Sequence, residues 1–231
     1  MKFVVKSAGE YLCCDSPEFA LQANTLGEVH SVLARIEQLQ TEGYFVAGWI
    51  SYEAAPAFDS HFKTHSDSSF PLLLMLASRQ VSRLRRLEAP EQTHAPIEVI
   101  PNIDQVSYED RYRTLIELIH AGDLYQANYS FRAKVDTDID AYSLFCRLEN
   151  QHPAPYASYI EYGEWRVVSS SPELFLERHG PTIKTEPMKG TAARGLWYED
   201  DEYKRRWLED DLKNRAENLM ITDMVRNDFG R

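Results

Sequence analysis

The sequence predicts an α+β fold, and three observations carry that expectation. Helical periodicity recurs in separate spans, at 25–40, 107–122 and 210–228. Four short apolar-rich segments between Ala157 and Glu186 are joined by tight turns at Gly163 and Gly180, the pattern of antiparallel strands. Helices mixed with antiparallel meanders in this way point to α+β.

A first strand is expected at Lys2–Lys6. Thr25 with Glu28 three residues on has the form of a capping box, and Leu26, Val29, Leu33 and Ile36 recur behind it at helical spacing. Gly43 then stops this helix. Tyr44–Ser51 and Phe70–Ala77 read as buried strands, short and bounded by turn formers.

From Arg83 to Asn102 the chain is charged and holds Pro90, Pro96 and Pro101, which argue against a helix and for a linker or edge segment. Ser107 is the expected cap of a second helix ending at Gly122. The clearest strand pattern follows, with Tyr125, Ala127, Tyr129, Phe131 and Ala133 alternating with polar residues. A short helix is expected around Tyr142–Leu148. Strands are expected near Ala157–Tyr162, Trp165–Ser170, Leu174–Arg178 and Thr182–Glu186, and a closing helix from about Asp210 to Asp228. The expected organisation is an N-terminal part over 1–82, a linker or edge segment over 83–106, and a second part over 107–231.

Composition narrows the function classes. In 231 residues, 43% are hydrophobic and 26% charged, which is ordinary for a globular chain that buries a core. With 36 acidic against 25 basic side chains the net charge is −11, so neither nucleic acid nor membrane is an expected partner. An anionic small molecule stays compatible, because a pocket can concentrate positive charge locally. The longest apolar run, Phe70–Ala77, is far short of the roughly 20 residues of a membrane helix, and the first residues have no signal-peptide core. Three cysteines, Cys13, Cys14 and Cys146, make no disulfide framework and lack metal-ligand spacing. They read as thiols in a reducing cytoplasm.

Three places could carry chemistry. Glu217 shares a helical face with Met220, Ile221 and Met224, where a carboxylate must be paired, protonated or bound to metal. Lys213, four residues earlier, is the plain structural partner. Pro187-Met188-Lys189-Gly190-Thr191 follows a strand directly, and a lysine before glycine can reach into a pocket. Desolvation would make that amine a nucleophile; a solvated surface lysine is the alternative. In Ser169-Ser170-Ser171-Pro172-Glu173 the proline breaks the strand ladder, and Glu173 is either a general acid, if buried, or part of a polar turn. Together these support an enzyme without choosing the reaction.

At these residues the sequence resembles the chorismate-binding enzymes, the family that includes anthranilate synthase component I, aminodeoxychorismate synthase component I, isochorismate synthases and salicylate synthases. The run from Asn214 to Asp228, NRAENLMITDMVRND, is similar to the family signature. Three more stretches agree, in the family's order: Ala121-Gly122-Asp123-Leu124-Tyr125-Gln126, Ser170-Ser171-Pro172-Glu173-Leu174, and Lys189-Gly190-Thr191-Ala192-Ala193-Arg194-Gly195. The block Gly48-Trp49-Ile50-Ser51-Tyr52-Glu53-Ala54-Ala55 resembles the aminodeoxychorismate synthase branch.

The resemblance implies the N-terminal portion of a layered α/β sandwich of the anthranilate synthase component I type. It implies Glu173 as the general acid for the departing C4 hydroxyl of chorismate, and Glu217 as a carboxylate toward Mg²⁺. Gln126, Gly190 and Thr191 are implied on the substrate side. Two positions choose among branches. Isochorismate and salicylate synthases have a water-activating lysine at the place of Gln126, and glutamine cannot serve as that base. Anthranilate synthases usually have alanine at the place of Lys189, which instead resembles the lysine nucleophile of aminodeoxychorismate synthases. The implied function is formation of 4-amino-4-deoxychorismate from chorismate and ammonia, toward 4-aminobenzoate and folate, with a glutamine amidotransferase subunit supplying the ammonia. Two further readings are anthranilate synthase component I, and a non-catalytic truncated chain that binds the amidotransferase. The family pattern continues past the Arg-Asn-Asp motif, so the chain is expected to be the N-terminal half, inactive by itself.

Overall fold

The computed structural model describes residues 1–65, 69–88 and 97–230. The chain begins with β1 (Lys2–Ser7), β2 (Glu10–Cys14) and β3 (Phe19–Ala23), then α1 (Leu26–Thr41), β4 (Phe45–Ile50) and a 3₁₀ helix at Tyr52–Ala57. Next come β5 (Leu73–Ser78), β6 (Ser82–Leu84), β7 (Glu98–Pro101), α2 (Gln105–Ala121), β8 (Ala133–Asp136) and α3 (Ala141–Gln151). The last part is β9 (Tyr156–Tyr162), β10 (Trp165–Ser171), β11 (Leu174–His179), β12 (Thr182–Glu186), α4 (Tyr198–Asp210) and α5 (Leu212–Phe229). The chain divides into two compact units, one from 1–88 with 145–231 and one from 89–144.

In the larger unit, β5 shows why the layers form. Its sequence LLMLAS is apolar on both faces and buried except at Met75. Leu74 and Leu76 pack with Phe3, Ala47 and Ile160, whereas Leu73 packs with Ala23, Val29 and Ile36. Period-two alternation thus gives the antiparallel sheet β3-β5-β4 two covered faces. One meets the five-stranded antiparallel sheet β10-β9-β1-β2-β6 and the other meets α1. Each fully buried leucine contributes roughly 1.5–3 kcal/mol. Gly48 lets β4 and β5 approach: a Cβ there would stand 1.9 Å from the Leu74 carbonyl oxygen.

The first helix starts as its capping box requires, with the Thr25 N–H donating to Glu28 Oε2 at 2.9 Å. A buried polar group ties the first sheet to α3. The Glu149 carboxylate accepts from Lys6 Nζ at 2.8 Å, from the Tyr11 hydroxyl at 2.7 Å and from the Ala154 N–H at 2.9 Å. Its side chain is 1% exposed, and its lone pairs are met by donors as burial demands.

In the smaller unit α2 is capped by Asp104, not by Ser107. The Asp104 carboxylate accepts from the Ser107 N–H at 2.8 Å and from its hydroxyl at 2.8 Å. A carboxylate here also meets the positive end of the helix dipole. Gly122 ends the helix in the left-handed region, φ 83°.

The strand read over 125–134 is realised only as β8. Its partner β7 ends at Pro101, paired with Ala133, and among the described residues no further strand pairs with the residues before it. The aromatic alternation packs instead on α2: Tyr129 stacks on Tyr108 at 5.2 Å and Phe131 meets Tyr108 edge-on at 5.7 Å. Of the segment read as linker or edge, 83–106, residues 89–96, with Pro90 and Pro96, lie outside the described residues. The rest holds the end of the edge strand β6, all of β7 and the start of α2.

The closing helix expected from about Asp210 to Asp228 is α5, and a further helix that the sequence reading does not include, α4, directly precedes it. Asp211 is extended, φ −62° and ψ 118°, and its carboxylate accepts from the Asn214 N–H at 2.9 Å. It ends α4 and caps α5 at once. All three cysteines are buried and none forms a disulfide.

Candidate active site

The three stretches singled out in the sequence fall on neighbouring parts of the larger unit. At the end of β10, Pro172 has no N–H to continue the ladder. Ser171 rounds the turn: its hydroxyl donates to the Glu173 carbonyl at 3.2 Å and accepts from the Glu173 N–H at 3.3 Å. Leu174 is buried and fixes the start of the β11–β12 hairpin, in which it pairs with Glu186. That pairing carries the exposed Glu173 to the segment leaving β12, where Glu173 Oε1 accepts from the Met188 N–H at 3.1 Å. Met188 directly precedes Lys189.

Residues 187–195 have no regular secondary structure. Lys189 is half-buried and lines a cavity of about 250 Å³ with Leu208, Glu209, Asn214, Arg215 and Asn218. Gly190 sits at φ +75°, and a Cβ there would stand 2.8 Å from Asn214 Oδ1 and 3.1 Å from Leu208 Cδ1. The backbone angle favours glycine, while the close atoms belong to side chains that could shift. Thr191 is exposed. A larger cavity, about 630 Å³, is lined by Glu173, Thr185, Pro187, Ile221, Val225 and Phe229 among others. Glu173 and Lys189 therefore line different cavities, linked through the Met188 hydrogen bond.

Glu217 lies on α5 with its side chain 33% exposed and its Oε1 3.9 Å from Lys213 Nζ. Met220 and Ile221 on the same face are half-buried, while Met224 is 54% exposed. Among the described residues no group of three or more His, Cys, Asp or Glu side chains is arranged to hold a metal. A lone carboxylate facing a lysine does not make a Mg²⁺ site, which needs near-octahedral oxygen ligation. Gln126 belongs to the smaller unit, where it is exposed in an irregular stretch after α2.

Sequence reasoning missed the residues that hold the Lys189 segment. Arg194 makes two bonds to Asp201, Nε to Oδ1 at 2.7 Å and Nη2 to Oδ2 at 2.6 Å. The Gly195 N–H also donates to Asp201 Oδ1, at 2.7 Å. The available signal was a helix-start signature: Glu199, Asp200 and Asp201 occupy the first turn of α4.

A family model described as chorismate binding enzyme matches residues 3–231. Anthranilate synthase component 1 1 of Haloarcula marismortui is 40% identical over 125 residues, 54% of this chain and 26% of that protein. An aminodeoxychorismate synthase of Streptomyces griseus is 39% identical over 150 residues, 62% of this chain and 20% of that protein. The chain spans less than half the length of the curated relatives it matches. Among solved structures, anthranilate synthase component I from Streptococcus pneumoniae superposes with a TM-score of 0.73 at 16% identity, over 100% of this chain and 62% of that one. This likeness shows the anthranilate synthase component I-like α+β fold.

Proposed function

We propose, from the premise that the chain belongs to the chorismate-binding enzyme family, that the whole protein is an aminodeoxychorismate synthase component I. It would convert chorismate and ammonia to 4-amino-4-deoxychorismate and water. The observation that carries this reading is Lys189 itself, a half-buried lysine on a cavity wall with Glu173 bonded to the preceding residue.

In the proposed reaction the neutral Lys189 amine forms a bond to C2 of chorismate. The ring double bonds shift, the C4–O bond breaks, and the Glu173 carboxyl donates its proton so that water leaves. The Lys189 nitrogen then loses a proton, which the Glu173 carboxylate can accept. Ammonia next bonds to C4, the double bonds shift back, the C2–N bond breaks, and the amine returns with a proton from the incoming nitrogen. A covalent first step explains nitrogen ending at C4 rather than C2. Gly190 keeps the backbone bare beside Lys189, and Thr191 and Gln126 are proposed on the substrate side.

Glu217 is proposed as one carboxylate toward Mg²⁺; the described residues do not complete such a site. Ammonia is proposed to come from a glutamine amidotransferase subunit. Among the described residues no helix is long and apolar enough to cross a membrane, and buried cysteines without a disulfide suit a reducing compartment, so we place the work in the cytoplasm. A second reading, anthranilate synthase component I, is favoured by the 40% identical relative. Product analysis separates the two. Full-length protein with chorismate and ammonia should give 4-amino-4-deoxychorismate; anthranilate as the main product would overturn the first reading.

A further inference from the structure

The segment that carries Lys189 has no ladder or helix to set its shape, so side chains must set it. At its near end it leaves β12, and Glu173 takes the Met188 N–H. At its far end the tie is denser. Asp201 takes both guanidinium bonds of Arg194 and the Gly195 N–H, while Asp200 Oδ2 takes the Leu196 N–H at 2.9 Å. Lys204 Nζ closes the loop by donating to the Arg194 carbonyl at 3.2 Å and to Asp200 at 3.0 Å. Gly195 lies so close to α4 that a Cβ would stand 2.1 Å from the Asp201 nitrogen.

We propose that Asp201 is a positioning residue for Lys189, holding the far end of the 187–195 segment against the first turn of α4. The inference rests on the reading of Lys189 as nucleophile given above. A surface ion pair of this kind contributes little to global stability, and Arg194 is largely exposed. Its effect is on geometry: three bonds to one carboxylate, two of them bidentate to a planar guanidinium, fix both the distance and the angle at which the segment meets the helix. The Arg194 bonds and the Gly195 N–H hold the Asp201 carboxyl down at about 2, so it is ionised at neutral pH. Nucleophile placement is the kind of feature for which a displacement of about 1 Å costs about 100-fold in rate.

The test uses the full-length protein and the amine reagent trinitrobenzenesulfonate, without substrate. Asp201→Asn keeps an acceptor for the Gly195 N–H but loses the bidentate charged pair. The rate of Lys189 labelling, read by mass spectrometry, should rise several-fold in this variant, while labelling of the exposed Lys63 and the melting temperature stay as in the parent. In turnover, kcat should fall about 100-fold with KM little changed. The charge exchange Asp201→Arg with Arg194→Asp should recover part of the parent labelling rate. If Asp201→Asn fails to fold, Arg194→Gln is read in the same way. Parent-like Lys189 labelling in whichever variant folds overturns the proposal and leaves the nucleophile reading standing. Altered labelling together with full activity in Lys189→Ala would instead keep the tether and remove the nucleophile.

Discussion

Glu173 accepts the backbone N–H of Met188 through Oε1 at 3.1 Å, so the carboxyl proposed as acid is bonded to the residue next to the proposed nucleophile Lys189. The two groups line different cavities, and what joins them is main chain. Any shift of the β11–β12 hairpin therefore moves both.

Glu173→Gln should keep that bond, since the amide oxygen still accepts the Met188 N–H, but it removes the proton donor. We expect kcat to fall by about 10²–10⁴-fold. As Glu173 is exposed, the melting temperature should hardly move. Steady-state kinetics beside a thermal melt check both parts, and a turnover rate close to the parent's would remove Glu173 from the chemistry.

Glu149 gives a prediction in stability and pH. Burial by itself pushes its carboxyl up, but the Ala154 N–H, Lys6 and Tyr11 together draw it below the usual carboxylate range. Burial likewise opposes the Lys6 charge, yet Glu149 and Tyr11 leave that amine raised. A carboxyl held low contributes stability above its unfolded value, about 4.3, and loses it as pH falls through the folded value. A raised lysine contributes below about 10.4 and loses it as pH rises through its folded value. Glu149→Ala should cost about 3–5 kcal/mol between those limits, because it leaves Lys6 and Tyr11 without their acceptor. Denaturant melts across pH should show parent and variant converging in acid; a difference independent of pH would contradict the charge argument.

Gly48→Ala puts a methyl 1.9 Å from the Leu74 carbonyl in the middle of β4 and β5. The strands must separate, and both packed faces of β5 open with them. We expect the variant to lose several kcal/mol, of the order seen for overpacked cores or worse, read as a large fall in melting temperature or in soluble yield. A parent-like melt would mean that the sheet yields easily at this point.

How legible the chain was follows from what sets each element. The capping box at Thr25 and Glu28 is local, and α1 starts where it places it. The turns at Gly163 and Gly180 are local too, and both glycines take positive φ. The α2 cap went to Asp104 because two good cap residues stood three apart and the carboxylate outcompeted the hydroxyl. The alternation over 125–134 misled, because β pairing needs a partner and Pro101 ends the only one β8 has among the described residues. Of the candidate site, Lys189, Gly190 and Glu173 were singled out through motif order. The Asp201 tether was not, because it joins a loop to a helix through side chains with no periodic signal.

Glu217→Gln separates structure from function on α5. The pair with Lys213 is 3.9 Å long and partly exposed, worth at most about 1 kcal/mol. The melting temperature should therefore stay within measurement error. If Glu217 contributes to a Mg²⁺ site in the full-length protein, the Mg²⁺ concentration for half-maximal turnover should rise. Unchanged Mg²⁺ dependence would return Glu217 to a plain helix pair.

The most direct measurement is mass spectrometry of the full-length protein mixed with chorismate and no ammonia. A nucleophilic Lys189 should carry a covalent adduct of chorismate less water, mapped to the peptide containing Met188-Lys189-Gly190. The adduct should vanish on adding ammonia, and Lys189→Ala should show neither adduct nor 4-amino-4-deoxychorismate. Full product formation by Lys189→Ala would contradict the proposed chemistry outright.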